Sequence, residues 1–197
     1  MRKLLKTPIT YDQIKDLRIG DTVYLSGELV TCRDAGHRRV LMEGIMPETV
    51  SLRDGAIFHA GPIVGKDEEG REYIVSIGPT TSRRMELAEA EFIEKTGIRL
   101  IVGKGGMLEK TAEACRKHGA IHCAFPGGCA VIAAREVEEI TGCEWRDLGM
   151  PEALWIMRVK GFGPMVVSID TTGANLFEER KKMYRAVLDR SEEGPDR

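Results

Sequence analysis

The chain has 197 residues, 42% of them apolar, and its 29 basic and 31 acidic side chains leave a formal charge of −2. That is enough to bury one substantial core; with no basic excess, no acidic tail and only 6% aromatics, the composition excludes a nucleic-acid binder or a stacking platform for single strands. No window reaches the roughly 20 apolar residues that cross a bilayer, and residues 1–8 lack the apolar run of a signal peptide, so a cytoplasmic protein is expected.

In chain order, the first half reads as β-rich. Alternating and apolar runs predict strands over 22–30, 56–64 and 73–77, with 64–70 as the hairpin loop between the last two. The second half alternates between the two periods. A helix is predicted over 82–95, burying Met85, Ala88 and Phe92 and stopping at Gly97, followed by a strand over 98–102. A second helix over 108–117 carries Leu108, Thr111, Ala112 and Cys115 on one face, with Gly119 as its C-cap. Strands over 120–125, 154–159 and 165–169 come next. The last helix, 174–189, has Leu176, Met183 and Val187 on one row and Phe177, Tyr184 and Leu188 on the next. The pattern is that of an α/β domain with parallel βα units in its middle, expected over 1–190, with 191–197 a disordered tail.

The most informative segment is Gly78-Pro79-Thr80-Thr81-Ser82-Arg83-Arg84-Met85, at a strand-to-helix turn. The first turn of a helix presents unpaired N–H groups and favours negative charge. This one carries two arginines beside two threonines. A bound anion that satisfies hydroxyls, amides and guanidinium together explains that violation. Two further turns share the character: Thr31-Cys32-Arg33-Asp34-Ala35-Gly36-His37-Arg38-Arg39 and Val102-Gly103-Lys104-Gly105-Gly106-Met107. Each follows a strand, carries a cation and opens a helical pattern. Three such turns can converge on one ligand with two or more negative groups.

Other readings of these residues are plainer. The five cysteines contain no C-x-x-C pair and there is no H-E-x-x-H, so no self-contained metal or iron–sulfur site is expected and the thiols read as reduced. Cys115 and Cys123 fall in core patterns, while Cys129 stands at a helix start, where thiol pKa values fall. Gly103-Lys104-Gly105-Gly106 lacks the G-x-x-x-x-G-K-[ST] pattern of a phosphate loop. Arg33 and Asp34 read equally as a surface ion pair. Asp34 and His37 share a helix face, which suits a structural hydrogen bond as well as chemistry. His59 ends a strand and can point into a site; His118 and His122 have no neighbours in sequence that suggest chemistry.

Taken together the motifs resemble a known family. The segments 31–37, Phe58-His59-Ala60-Gly61-Pro62, 78–85, 102–107 and Phe125-Pro126-Gly127-Gly128-Cys129-Ala130 occur in this order in the β subunit of class I fumarases and L(+)-tartrate dehydratases, and in the C-terminal domain of single-chain class I fumarases. The resemblance spans about residues 3–188. It implies a swivelling β/β/α domain and a hydro-lyase acting on a four-carbon dicarboxylate, fumarate and (S)-malate being preferred and L(+)-tartrate the alternative. It also implies a 4Fe–4S cluster held by cysteines of a partner α subunit, so that this chain holds no metal and is inactive alone. Carried onto this sequence, substrate binding falls on Arg33, Arg84 and Lys104, with Thr81 and Gly105 beside them. The catalytic base falls on Thr80. Asp34, His37 or a group of the partner chain are candidates to activate that base, and without the partner the three cations are expected to repel one another. The competing classes are a dicarboxylate-binding module without chemistry and a nucleotide-binding domain built on 103–106.

Overall fold

The structure is a computed structural model and describes residues 1–192. Strand β1 (Arg2–Lys6) leads through one helical turn, α1 (Tyr11–Ile14), to β2 (Thr22–Thr31) and α2 (Asp34–Met42). Strands β3 (Ala56–Phe58), β4 (Ala60–Lys66) and β5 (Glu72–Pro79) follow, then a 3-10 turn over Ser82–Met85 that runs into α3 (Glu86–Thr96). The second half alternates β6 (Leu100–Gly103), α4 (Glu109–His118), β7 (Ile121–Ala124) and α5 (Ala130–Arg135). It closes with β8 (Val137–Glu144), β9 (Leu154–Ile169) and α6 (Leu176–Glu192).

Five strands pair in a closed circuit. The pairs β2–β3, β3–β6 and β6–β7 are parallel, and β7–β9 and β9–β2 are antiparallel. β1 adds to β2 beside β3, and β8 adds to β9 beside β7. β4 and β5 form a separate two-stranded sheet. Period-two alternation then sorts the side chains. Phe58, Leu100, Val102, Ile121 and Cys123 point into one core, where the rings of Phe58, Phe125 and Phe162 stand 5.0 to 5.7 Å apart. Ile57 and Ile101 face a second core with Val40 of α2, Phe92 and Ile93 of α3 and Cys115 of α4.

Several expectations shift. The strand read over 56–64 breaks at His59, because its N–H bonds Val102 in one sheet while its carbonyl accepts from Thr80 beside the other. The two strands read over 154–159 and 165–169 are one, β9. Its glycine-rich middle is not a turn: the N–H of Lys160 bonds the Glu136 carbonyl, and those of Gly161 and Gly163 bond the side chains of Ser26 and Glu136. β1 and β8 were not expected from sequence. Both lie on an edge and lack a long apolar run: β1 buries Leu5, and β8 packs only Val137 and Ile140 against the core.

The predicted helices stand, with Gly97 and Gly119 as left-handed caps of α3 and α4. Met85 and Phe92 are buried as expected, while Ala88 is half-buried. The apolar rows of α6 are not core: Met183, Tyr184 and Val187 are 45 to 60% exposed. Residues 191 and 192, expected in the tail, belong to α6, and 193–197 lie outside the described residues. Among those residues no helix is long and apolar enough to cross a membrane.

Candidate active site

Parallel pairing aligns Thr31, Phe58, Val102 and Cys123 in one row across β2, β3, β6 and β7. The motif turns after β2, β6 and β7 therefore leave the ring at its carboxyl edge, where α/β sheets place their ligands. The turn after β5 is tied into that edge through its backbone. Thr80 donates to His59 at 2.6 Å, Lys104 donates to Thr80 at 3.1 Å, and Ser82 donates to Lys104 at 3.1 Å. Thr81 and Lys104 are thus bridged as in a parallel ladder. This closeness requires Gly103, since a Cβ there would overlap the Ser82 hydroxyl. Gly105 follows in the left-handed region at φ +75°, and Gly127 packs beside the Lys104 stem.

Most of the sequence-predicted residues meet at this edge. Arg84 pairs with Asp34 and donates from Nη1 to Thr80 Oγ1 at 3.3 Å. Lys104 and Thr81 are exposed beside them, and Thr80 is half-buried. Arg33 stands at the margin. Its Nη2 lies 3.0 Å from Glu152 Oε1, and its guanidinium rests on Gly61, where a Cβ would come within 2.5 Å of Nη1. The expected mutual repulsion of the three cations is relieved, because Glu152 balances Arg33 and Asp34 balances Arg84. Lys104 has no ion pair among the described residues.

His37 does not join them. It is 1% exposed and turns inward, with Nδ1 on the Arg33 carbonyl at 2.9 Å and Cys32 Sγ at 3.5 Å. Its Nε2 lies 3.3 Å from Oε2 of Glu89, and Nε2 of His59 lies 3.1 Å from the same oxygen. These are ion-pair distances, yet neither contact is aligned as a hydrogen bond. His59 Nδ1 continues to Ser82 Oγ at 3.0 Å, Ser82 to His122 Nε2 at 3.1 Å, and His122 Nδ1 to Ser168 Oγ at 2.5 Å. His37, Glu89, His59, Ser82, His122 and Ser168 are all buried.

Its charges are strongly biased. Burial works to raise the Glu89 carboxyl, but the two imidazoles outweigh it and hold the group well below the ordinary carboxylate range. Burial opposes a charge on His37, but Cys32 and Glu89 outweigh it and hold its pKa well above normal. Burial lowers His59, with the charge on His37 adding to the effect against Glu89, and it depresses His122 to about 3. Glu89 and His37 are thus the charged pair, and His59 and His122 are neutral.

Sequence reasoning missed Glu89, Ser82 and His122. Glu89 lies four residues after Met85 and three before Phe92, so it occupies the centre of the buried stripe of α3. That placement is the available signal. Glu86, also buried, accepts from Leu108 N–H at 2.7 Å and Thr111 Oγ1 at 2.8 Å, capping α4 from the neighbouring helix.

A 4Fe–4S cluster needs several converging thiolates. All five cysteines are free, Cys115 and Cys123 are deep in the cores, and Cys32 packs on an imidazole. Among the described residues, the one group of three metal-ligating side chains is His37, His59 and Glu89, which contains no thiol. Among the described residues, no group of side chains fits that cluster.

Residues 2–180 match the family described as Fumarase C-terminus. The chain is 56% identical over 184 residues to the L(+)-tartrate dehydratase subunit beta of Escherichia coli (strain K12), covering 93% of this chain and 90% of that one. It is 40% identical over 178 residues to the "Putative fumarate hydratase class I" of Geobacillus stearothermophilus, covering 90% of this chain and 34% of that longer one. With Thr80, Arg84 and Lys104 at one edge and matches of this extent, the chain belongs to the fumarase C-terminus family.

Proposed function

We propose that this chain is the β subunit of a hydro-lyase acting on a four-carbon dicarboxylate, with L(+)-tartrate as its substrate. The observation that carries the reading is the meeting of Thr80, Arg84, Asp34 and Lys104 at the carboxyl edge of the ring, in a chain 56% identical to a named L(+)-tartrate dehydratase subunit beta. The interconversion of fumarate and malate is the second reading, favoured by the family description and by the 40% identity to a protein named for fumarate hydration. Malate and tartrate differ by one hydroxyl, so the same cations serve either.

Eliminating water requires removal of a proton from the carbon beside a carboxylate, and negative charge then builds on that carboxylate. Arg84 presents a planar fork for it and Lys104 a point charge. Cations held in place before reaction stabilise that charge more in the transition state than in the ground state. Thr80 Oγ1 takes the proton, and the Arg84 Nη1 that donates to it favours the oxygen's anionic form. Arg33, steadied by Glu152, grips the second carboxylate. Asp34 positions Arg84 and does not itself touch substrate. The iron–sulfur cluster implied by the family is assigned to an α subunit, and the closed strand ring with its flanking helices to the swivelling β/β/α domain.

The test is an anaerobic pull-down of the tagged chain from its own cells, assayed for loss of L(+)-tartrate and of fumarate. A stoichiometric, iron-containing second chain that turns over tartrate is the expected result. Turnover of fumarate alone selects the second reading. A single chain without iron, from cells shown to express it, overturns both in favour of a dicarboxylate-binding module.

A further inference from the structure

The four inward-facing atoms of the His37–Glu89–His59 cluster are unusual in one respect. Nε2 of each histidine and both carboxylate oxygens of Glu89 are buried and have no hydrogen-bond partner. Leaving even one such group unpaired costs about 1–3 kcal/mol, more when it is charged. The outer nitrogens, by contrast, are engaged. A carbonyl only accepts, so the contact with Arg33 places a proton on His37 Nδ1. His59 Nδ1 is taken by the Ser82 hydroxyl.

That division is the one found around metal-bound imidazoles, whose second nitrogen donates to a carbonyl or another oxygen and fixes the ring. It turns Nε2 of His37 and Nε2 of His59 toward the carboxylate. Only a positive charge between them makes such an arrangement favourable. A proton on His37 supplies one, but the poor alignment uses it badly. Ligands at about 2.0–2.2 Å around a tetrahedral centre lie about 3.3–3.6 Å from one another. The nitrogens here stand 3.3 and 3.1 Å from Glu89 Oε2, and the three donor atoms all lie within 4.8 Å of one another.

We propose that His37 Nε2, His59 Nε2 and the Glu89 carboxylate form a structural binding site for a divalent transition-metal ion of the Zn²⁺ class. Imidazole with carboxylate suits such ions. Binding displaces the proton from His37 Nε2 to solvent, one per ion, while Nδ1 keeps its own. The ion ties together α2, the β3–β4 junction and α3. These are the elements that carry Asp34, the carbonyl holding Thr80, and the turn of Arg84. His37 also borders a surface cavity of about 260 Å³ lined by Asp34, Arg84, Met85 and Glu91, which gives an approach from solvent. The site is independent of the hydro-lyase reading and contains no thiol, so it is distinct from any iron–sulfur centre.

The test uses the full chain, stripped with chelator and titrated with Co²⁺ and Zn²⁺. The expected result is one ion retained per chain, Co²⁺ ligand-field bands in the visible without a thiolate charge-transfer band, release of one proton, and a thermal midpoint raised by Zn²⁺. Cys32→Ser retains the ion and Glu89→Gln or His59→Gln loses it. Failure of the wild-type chain to take up either ion overturns the proposal, as does uptake with sulfur scattering in X-ray absorption. Undiminished uptake by a folded His59→Gln chain also overturns it. The wild-type spectra decide even where a variant does not fold.

Discussion

Arg84 and Asp34 form an ion pair that bridges the turn after β5 to the first residue of α2. Its partners are 48 and 40% exposed, so it contributes under ~1 kcal/mol to folding. Its consequence is geometric, since the same guanidinium also reaches Thr80. Asp34→Asn is expected to move the thermal midpoint by less than about 4 °C. It is expected to lower kcat/KM of the assembled enzyme by about tenfold or more. Equal kcat/KM in variant and wild type would remove Asp34 as a positioning residue.

Thr80 Oγ1 accepts a hydrogen bond from Arg84 Nη1. Thr80→Ala in the assembled enzyme is expected to reduce kcat by about 10²–10⁴, the range for a lost general base. Thr80→Ser keeps the oxygen and should restore most of that loss. Steady-state kinetics on the purified complex decide it, and an alanine variant with near-normal kcat would take Thr80 out of the mechanism.

Ser82 is the link between two buried imidazoles. Ser82→Ala leaves His59 Nδ1 and His122 Nε2 without their shared partner. The expected cost is about 1–3 kcal/mol, or a midpoint lowered by about 2–10 °C. Calorimetry on the chain measures it. An unchanged midpoint would mean that the chain of hydrogen bonds through Ser82 adds nothing to stability.

Much of this was legible before folding was considered. Thr80, Arg84 and Lys104 lie in short local motifs, and the strand-to-helix turns that carry them need only period and turn chemistry to be seen. The Glu89 cluster was not legible. His37, His59 and Glu89 are separated by 22 and 30 positions in the sequence and meet only because α2 and α3 cover the same edge of the ring. The apolar rows of α6 misled for the opposite reason: periodicity shows that a face is apolar, and not what lies against it. The break at His59 was hidden because both strands it joins are apolar.

Glu144 offers a pH prediction. Burial works to raise its carboxyl, but hydrogen bonds from the Thr49 hydroxyl at 2.5 Å and the N–H groups of Glu48 and Thr49 outweigh it, and the pKa is lowered. A folded-state pKa below the unfolded one gives stability that is complete above the unfolded value of about 4.3 and lost as pH falls through the folded value. Glu144→Gln should therefore be less stable than wild type at neutral pH, with the difference closing in acid. Urea midpoints of both chains from pH 7 downward test it, and a gap that widens in acid would refute the assignment.

The ring described above also constrains how the chain is made. β2 ends at Thr31, yet one of its edges is completed only by β9, which begins at Leu154. The early strand that leads into Arg33 therefore emerges from the ribosome more than a hundred residues before its partner. Contacts of such long sequence separation are slow to form. A transcript cut short before β9 would leave β2 with an unsatisfied edge, a template for pairing between chains. Closure of the ring waits until β9 has been made, so the edge that carries Arg33 and Lys104 is backed by a complete ring only then.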